Sequence, residues 1–262
     1  MRALHTAATG MMAQELNVQV ISNNIANMRT TGYKRQRAEF QDLLYEQVRR
    51  VGSQASGQGN ILPAGVELGA GVKTVGTPRV MTQGSLLPTG KDFDVAIRGE
   101  GFFRVQMPDG RTTYTRDGSF ELDAQGRVVT VQGSVVQPGI TVPQNASEVT
   151  INAQGQVSAM LPGSTTSTQL GQLELSMFVN KAGLQAIGDN LYLETAASGP
   201  AQNGTPGVDG FGNLQQRNLE QANVEAVNEI SDLIAAQRAY EMNAKVINAA
   251  DQMLQSTSNM MR

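Results

Sequence analysis

Each end of the chain carries an apolar residue at every seventh position, with no proline to interrupt the row. Leu4, Met11, Val18 and Ile25 form one row near the N-terminus, and Ala7, Ile21 and Met28 form part of a second row three places further on. Leu233, Tyr240, Ile247, Leu254 and Met261 form the matching C-terminal row, with small or polar Ala236, Asn243, Ala250 and Thr257 three places after them. Seven residues make two helical turns, so each row is a stripe that meets another helix. A bulky row beside a small one lets that helix approach closely. Gly32 is the first good stop, which assigns residues 1–32 to an N-terminal helix. Asn223 is the expected N-cap of the C-terminal helix, with Glu225 in the first turn where the helix dipole favours an anion. That helix would run for about 38 residues, or roughly 57 Å. Residues 1–32 and 222–262 together are expected to form a coiled-coil inner domain. Two such helices can cover each other and still leave outward faces for other chains.

Between the helices the period changes to two. PRVMTQGSLL, FDVAIRGEGFFRVQM, TTYTRDGSFEL and RVVTVQGSVV read as strands, with further strands over residues 148–151, 156–160 and 169–179. Asp109-Gly110 and Asp117-Gly118 are turn dipeptides, and DAQGRV at Asp123 resembles NAQGQV at Asn152, which predicts two similar hairpins. The fold class is therefore α+β, with long terminal helices and a mainly antiparallel β middle. Residues 33–80 read as a connecting segment with an extended, hairpin-like insertion, and residues 81–197 as the β-rich domain. Residues 198–221, rich in glycine and proline, read as a linker back to the last helix.

The residue inventory leaves little room for catalysis. With one histidine, His5, and no cysteine, Ser/His and Cys/His machinery and ordinary zinc sites lack their parts. No cofactor or metal site is expected. Gly99-Glu100-Gly101-Phe102 lacks the third glycine and the following helix of a phosphate loop, and reads as a bend between strands. A secreted cell-wall hydrolase would need two carboxylates facing a cleft, and the acids here are scattered among strands and Asp-Gly turns. Arg29, Lys34, Arg35 and Arg37 follow the first helix without interleaved aromatics, and the net charge is −3, so nucleic acid is not an expected partner. The N-terminus lacks the continuous apolar stretch of a Sec signal, and no run of apolar residues is long enough to insert in a membrane.

Asn23, Asn24 and Asn27 crowd the end of the first helix, although asparagine competes with helical hydrogen bonds. Gln19, Asn23 and Asn27 make an i, i+4 amide row that could set register against a neighbour. The same residues carry a resemblance. SNNIANMRTTGYKRQRAEF resembles the N-terminal signature of bacterial flagellar axial proteins, the family of rod and hook subunits. ANV at Ala222 and IAAQRAYEMNAK from Ile234 to Lys245 resemble that family's C-terminal signature. KDFDVAIRGEGFFRV and YTRDGSFELDAQGRVVT match as well, so the likeness covers essentially the whole chain.

The run from Gly32 to Tyr45 and the extension to residue 77 are most similar to members that build the distal stretch of the rod. Proximal rod or hook-type members are the alternative. The resemblance implies a structural subunit, exported by the flagellar type III apparatus without a cleaved signal. Such subunits polymerise helically into a hollow, rigid shaft across the periplasm that transmits torque and passes exported subunits. Its partners would be further copies of itself, the proximal rod proteins, the hook protein and the bushing rings. The polymer interface would include Leu4, Met11, Val18, Ile21, Asn23, Asn24, Ile25, Asn27, Met28, Leu233, Tyr240, Ile247, Leu254 and Met261.

A charge in a packed helical seam is costly. Leu254→Asp is therefore expected to abolish polymerisation while the β-rich domain stays folded. Electron microscopy of rods and circular dichroism of the subunit check the two halves of that expectation.

Overall fold

The computed structural model describes residues 2–49, 64–163 and 166–260. Met261 and most of the glycine-rich stretch 52–71 lie outside them. The chain forms two compact units. One comprises residues 1–25, 36–78 and 225–262, and the other residues 26–35 and 79–224.

The first unit holds two helices, α1 (Arg2–Ala26) and α2 (Ala226–Met260). Asn24 of α1 bonds Glu229 of α2, and Gly10 faces Asn243 so closely that a Cβ there would sit 2.9 Å from the Asn243 amide nitrogen. The two contacts are the same number of residues apart on each helix and run in opposite senses, so the helices lie antiparallel. On both helices residues of the second row face inward, and on α2 these are small. Ala7 and Ile21 are buried on α1, and Ala236 and Ala250 on α2. The bulky row Leu4, Met11, Val18 and Ile25 stays half-buried, while Tyr240 and Leu254 are exposed. Small side chains allow close approach, so the contact centres on them and the bulky rows flank it.

Strands β1 (Glu39–Asp42), β2 (Tyr45–Arg49), β3 (Val66–Gly69) and β4 (Val72–Gly76) complete this unit. β1 pairs with β4 and β2 with β3, both antiparallel, so the two pairs continue one ribbon. The ribbon leans on α1 where the Val72 N–H donates to Thr9 Oγ1 at 3.4 Å. Farther out it exposes Tyr45, Val48, Val66 and Leu68.

The second unit is antiparallel β. Its largest sheet runs in the order Gln185–Gly188, Leu191–Leu193, Thr112–Thr115, Phe102–Gln106, Val135–Val136, Val128–Thr130 and Phe120–Leu122. The strand Phe102–Gln106 is the hub, because Leu175–Met177 also pairs with it. Strand alternation sends its first two residues to opposite faces. Phe103 enters the main core with Val95, Ile97, Phe120 and Leu175, and stacks edge-on against Phe120 at 4.9 Å. Phe102 enters a second, aromatic cluster with Tyr114, Phe178 and Tyr192. Glu148–Ile151, Gln156–Met160 and Ser167–Gln172 form a separate three-stranded sheet. The paired hairpins read from the sequence share one turn. Asp123 accepts the N–H groups of Gln125 and Arg127, and Asn152 those of Gln154 and Gln156. Gly99 to Gly101 is the expected bend, with φ of +110° and +136° at the two glycines.

Three expectations need correction. α1 ends at Ala26 and not near Gly32, which puts Asn27 and Met28 in a turn. There the Thr30 N–H donates to the Asn27 carbonyl at 3.0 Å and its hydroxyl to Asn27 Oδ1 at 3.2 Å, a local alternative to helix of the kind asparagine favours. Asn223 does not cap α2. Its side chain accepts from Arg35 N–H and donates to the carbonyls of Val80 and Thr82, and Glu225 supplies the first carbonyl of the helix, to Glu229 N–H at 3.0 Å. Finally, residues 198–221 are no loose linker. Gln202–Gly204 pairs with Leu175–Met177, Asn213–Gln216 with Val95–Arg98, and Asn218–Glu220 with Leu86–Pro88. The glycines there make the turns between these strands.

Phe103 is fully buried at the hub of both pairing and packing. Phe103→Ala is expected to cost about 3–5 kcal/mol. Urea denaturation followed by circular dichroism measures it.

Candidate assembly surface and its supports

The described residues contain no group of three or more His, Cys, Asp or Glu side chains placed to hold a metal ion. None of their helices is long and apolar enough to cross a membrane. Two buried polar clusters stand out instead, one in each unit.

In the β unit the Glu220 carboxylate, 1% exposed, meets two cations. Lys34 Nζ lies 2.6 Å from Oε1, and Arg116 Nε lies 3.0 Å from Oε2. The Gly84 N–H donates to Oε1 at 2.9 Å, and the Gly32 N–H donates to the Glu220 backbone carbonyl at 2.7 Å. Lys34 also donates to the Thr82 carbonyl at 2.8 Å, and Arg116 to the carbonyls of Gly99 and Gly101 at 2.9 and 2.6 Å. Burial pushes the Lys34 ammonium below the usual lysine range, while the charge of Glu220 works the other way. Gly32 is required here twice over: its φ is +68°, and a Cβ would come within 2.7 Å of the Asp117 backbone nitrogen. In the sequence Lys34 stands in a basic cluster that follows the first helix. Its partner lies 186 residues away, and no local pattern announces it.

In the helical unit the Asn24 carboxamide, 1% exposed, bonds both backbone groups of Gln36 and the carboxylate of Glu229. Asn23 is exposed on α1 and Asn27 half-buried in the turn. The three asparagines therefore stand in three different environments.

Within the helical unit, α2 carries apolar side chains on its surface. Val227, Ile230 and Ile234 form one exposed apolar stripe. Met242, Val246 and Met253 form a second, at 60%, 47% and 63% exposure. Neither belongs to the seven-residue row read from the sequence; the spacing i, i+4, i+11 of the second stripe would have revealed it. A helix apolar on several faces carries more apolar surface than one partner helix covers.

Three family models match the chain in succession. "Flagella basal body rod protein" covers residues 4–34, "Flagellar hook protein FlgE/F/G D1 domain" residues 96–159, and "Flagellar basal body rod FlgEFG protein C-terminal" residues 215–260. The flagellar basal-body rod protein FlgG of Caulobacter vibrioides is 56% identical over 99% of both chains. The chain belongs to the flagellar basal-body rod protein family. The FlgG proteins of Agrobacterium fabrum and Borreliella burgdorferi are 50% and 46% identical, over 97% of both chains and over 100% of this chain and 99% of the other. This rod-family chain is a structural subunit of the flagellum, not an enzyme.

In this rod subunit, removing Glu220 would strand two buried cations, whereas removing Lys34 leaves the carboxylate with Arg116 and Gly84. Glu220→Gln should cost about 3–5 kcal/mol, and Lys34→Met clearly less. Between its lowered native value and 10.5, Lys34 is deprotonated in the native state and protonated in the unfolded one. Native stability therefore gains with rising pH in that window, and Lys34→Met should remove that slope. Urea titrations across alkaline pH measure both effects.

Proposed function

We propose that this subunit builds the distal stretch of the rod, polymerising helically into a hollow, rigid shaft. The observation that carries the reading is the surface of α2, which is apolar on faces left exposed among the described residues. Copies of the same helices are the economical cover. The bulky rows Leu4–Ile25 and Leu233–Leu254, left flanking the intrachain contact, then become the seams between subunits, packed as a coiled-coil inner domain. Contacts between unlike patches on successive copies generate an open helical polymer.

The ribbon β2–β3 supplies a second place for locking, since a two-stranded ribbon with apolar side chains exposed on both faces is marginal alone in water. Locking at more than one place is what stiffness under torque requires. Proximal rod proteins, the hook protein and the bushing rings are the proposed neighbours. Passage through the type III export apparatus, without a cleaved signal, and residence across the periplasm complete the proposal.

Val246→Asp and Met253→Asp test it. Each puts a carboxylate on the outer stripe without touching the buried face of α2. Basal bodies isolated from strains carrying either variant should lack complete rods, while the purified subunit keeps the circular dichroism of the β unit. Rods of normal length and number with both variants would remove this surface from the assembly.

A further inference from the structure

The Asn24 carboxamide is fully used. One Nδ2 hydrogen goes to the Gln36 carbonyl at 2.9 Å and the other to Glu229 Oε2 at 3.1 Å, while Oδ1 accepts the Gln36 N–H at 2.9 Å. The pair of bonds to Gln36 copies, from a helical side chain, the exchange that two facing strand residues make. Asn24 lies just before α1 ends, Glu229 lies in the first turn of α2, and Gln36 is where the chain re-enters the helical unit. The next residue, Arg37, donates its N–H to the carbonyl of Pro78, the last residue of the ribbon segment in that unit. One side chain thus ties α1 to α2 and to the ribbon segment.

We propose that Asn24 is a positioning residue: through Glu229 it sets the register of α1 on α2, and the rod grows only from subunits in which this bond is closed. The inference rests on the rod-subunit reading above. It differs from a register device between subunits, because Asn24 and Glu229 are 1% and 3% exposed and meet within one chain.

The chemistry is specific to an amide of this length. Glu229 and the Gln36 carbonyl are both acceptors and require N–H groups. Aspartate would set a carboxylate against both of them. Leucine would leave the part-buried Gln36 backbone pair without these bonds. Glutamine reaches one methylene too far. At the other end, Glu229→Gln keeps an oxygen that can accept from Asn24, so alone it is mild. Combined with Asn24→Asp it reverses the bond between positions 24 and 229, since the new amide donates to the new carboxylate, and only the Gln36 carbonyl stays without its N–H.

The test replaces the resident gene with Asn24→Asp, Glu229→Gln or both, and counts complete rods in isolated basal bodies by electron microscopy. Subunit secreted into the medium is measured alongside. Asn24→Asp should lower the yield of complete rods per secreted subunit by at least about tenfold, Glu229→Gln should stay near wild type, and the double variant should recover well above Asn24→Asp. A wild-type yield with Asn24→Asp overturns the proposal. So does a double variant no better than Asn24→Asp, because a residue that merely supports helix folding would not be rescued by a change at position 229. Complete rods in a strain with the gene deleted would instead sink the rod-subunit reading itself, which keeps the two failures distinct.

Discussion

The carboxylate of Glu220 holds separate stretches of the β unit against one another. It takes an ammonium, a guanidinium and a backbone N–H, while its own carbonyl takes another N–H from the turn at Gly32. Burying a charge is expensive unless every lone pair finds a partner, and here the partners come from residues 32–34, 84 and 116. The segment 31–35, the strand entry at 79–84 and the return at 220–223 are consequently laced together, with Asn223 adding bonds to Arg35, Val80 and Thr82.

The helical unit solves a different problem. Its intrachain contact uses the small rows, so that Ala236 and Ala250 are spent inside while bulky and apolar residues remain on the outside of α2. That division suits the polymer proposed above: the close contact stays within the chain, and apolar area remains exposed on α2. The low share of charged residues, 16%, suits the assembly proposed above, because a surface covered by neighbours has less need of charge.

Much of the β unit was legible because its signals are local. Alternation placed the strands Glu148–Ile151 and Gln156–Met160, and the repeated Asx-x-x-Gly turn announced two matching hairpins. α1 stops at Ala26 because Asn24 is drawn to Gln36 and Asn27 forms a turn with Thr30. Asn223 leaves the helix end because three backbone groups elsewhere need it. The stretch 198–221 is ordered by strands more than a hundred residues distant at Val95–Arg98 and Leu86–Pro88. The last two outcomes depend on partners far along the chain, which no periodicity encodes, whereas the helix end is decided by a local turn.

The sequence by itself determined that both ends are helical, that the middle is antiparallel β, that histidine and cysteine chemistry is absent, and that the family is that of the flagellar rod. Periodicity, turn residues and signature motifs are local quantities, and they suffice for those conclusions. Only the tertiary structure decided which row of each helix is spent within the chain, which asparagine is buried, and that Lys34 and Arg116 share one carboxylate. Those choices follow from close approach and from the cost of leaving a buried polar group unpaired, and both are settled only when distant segments meet.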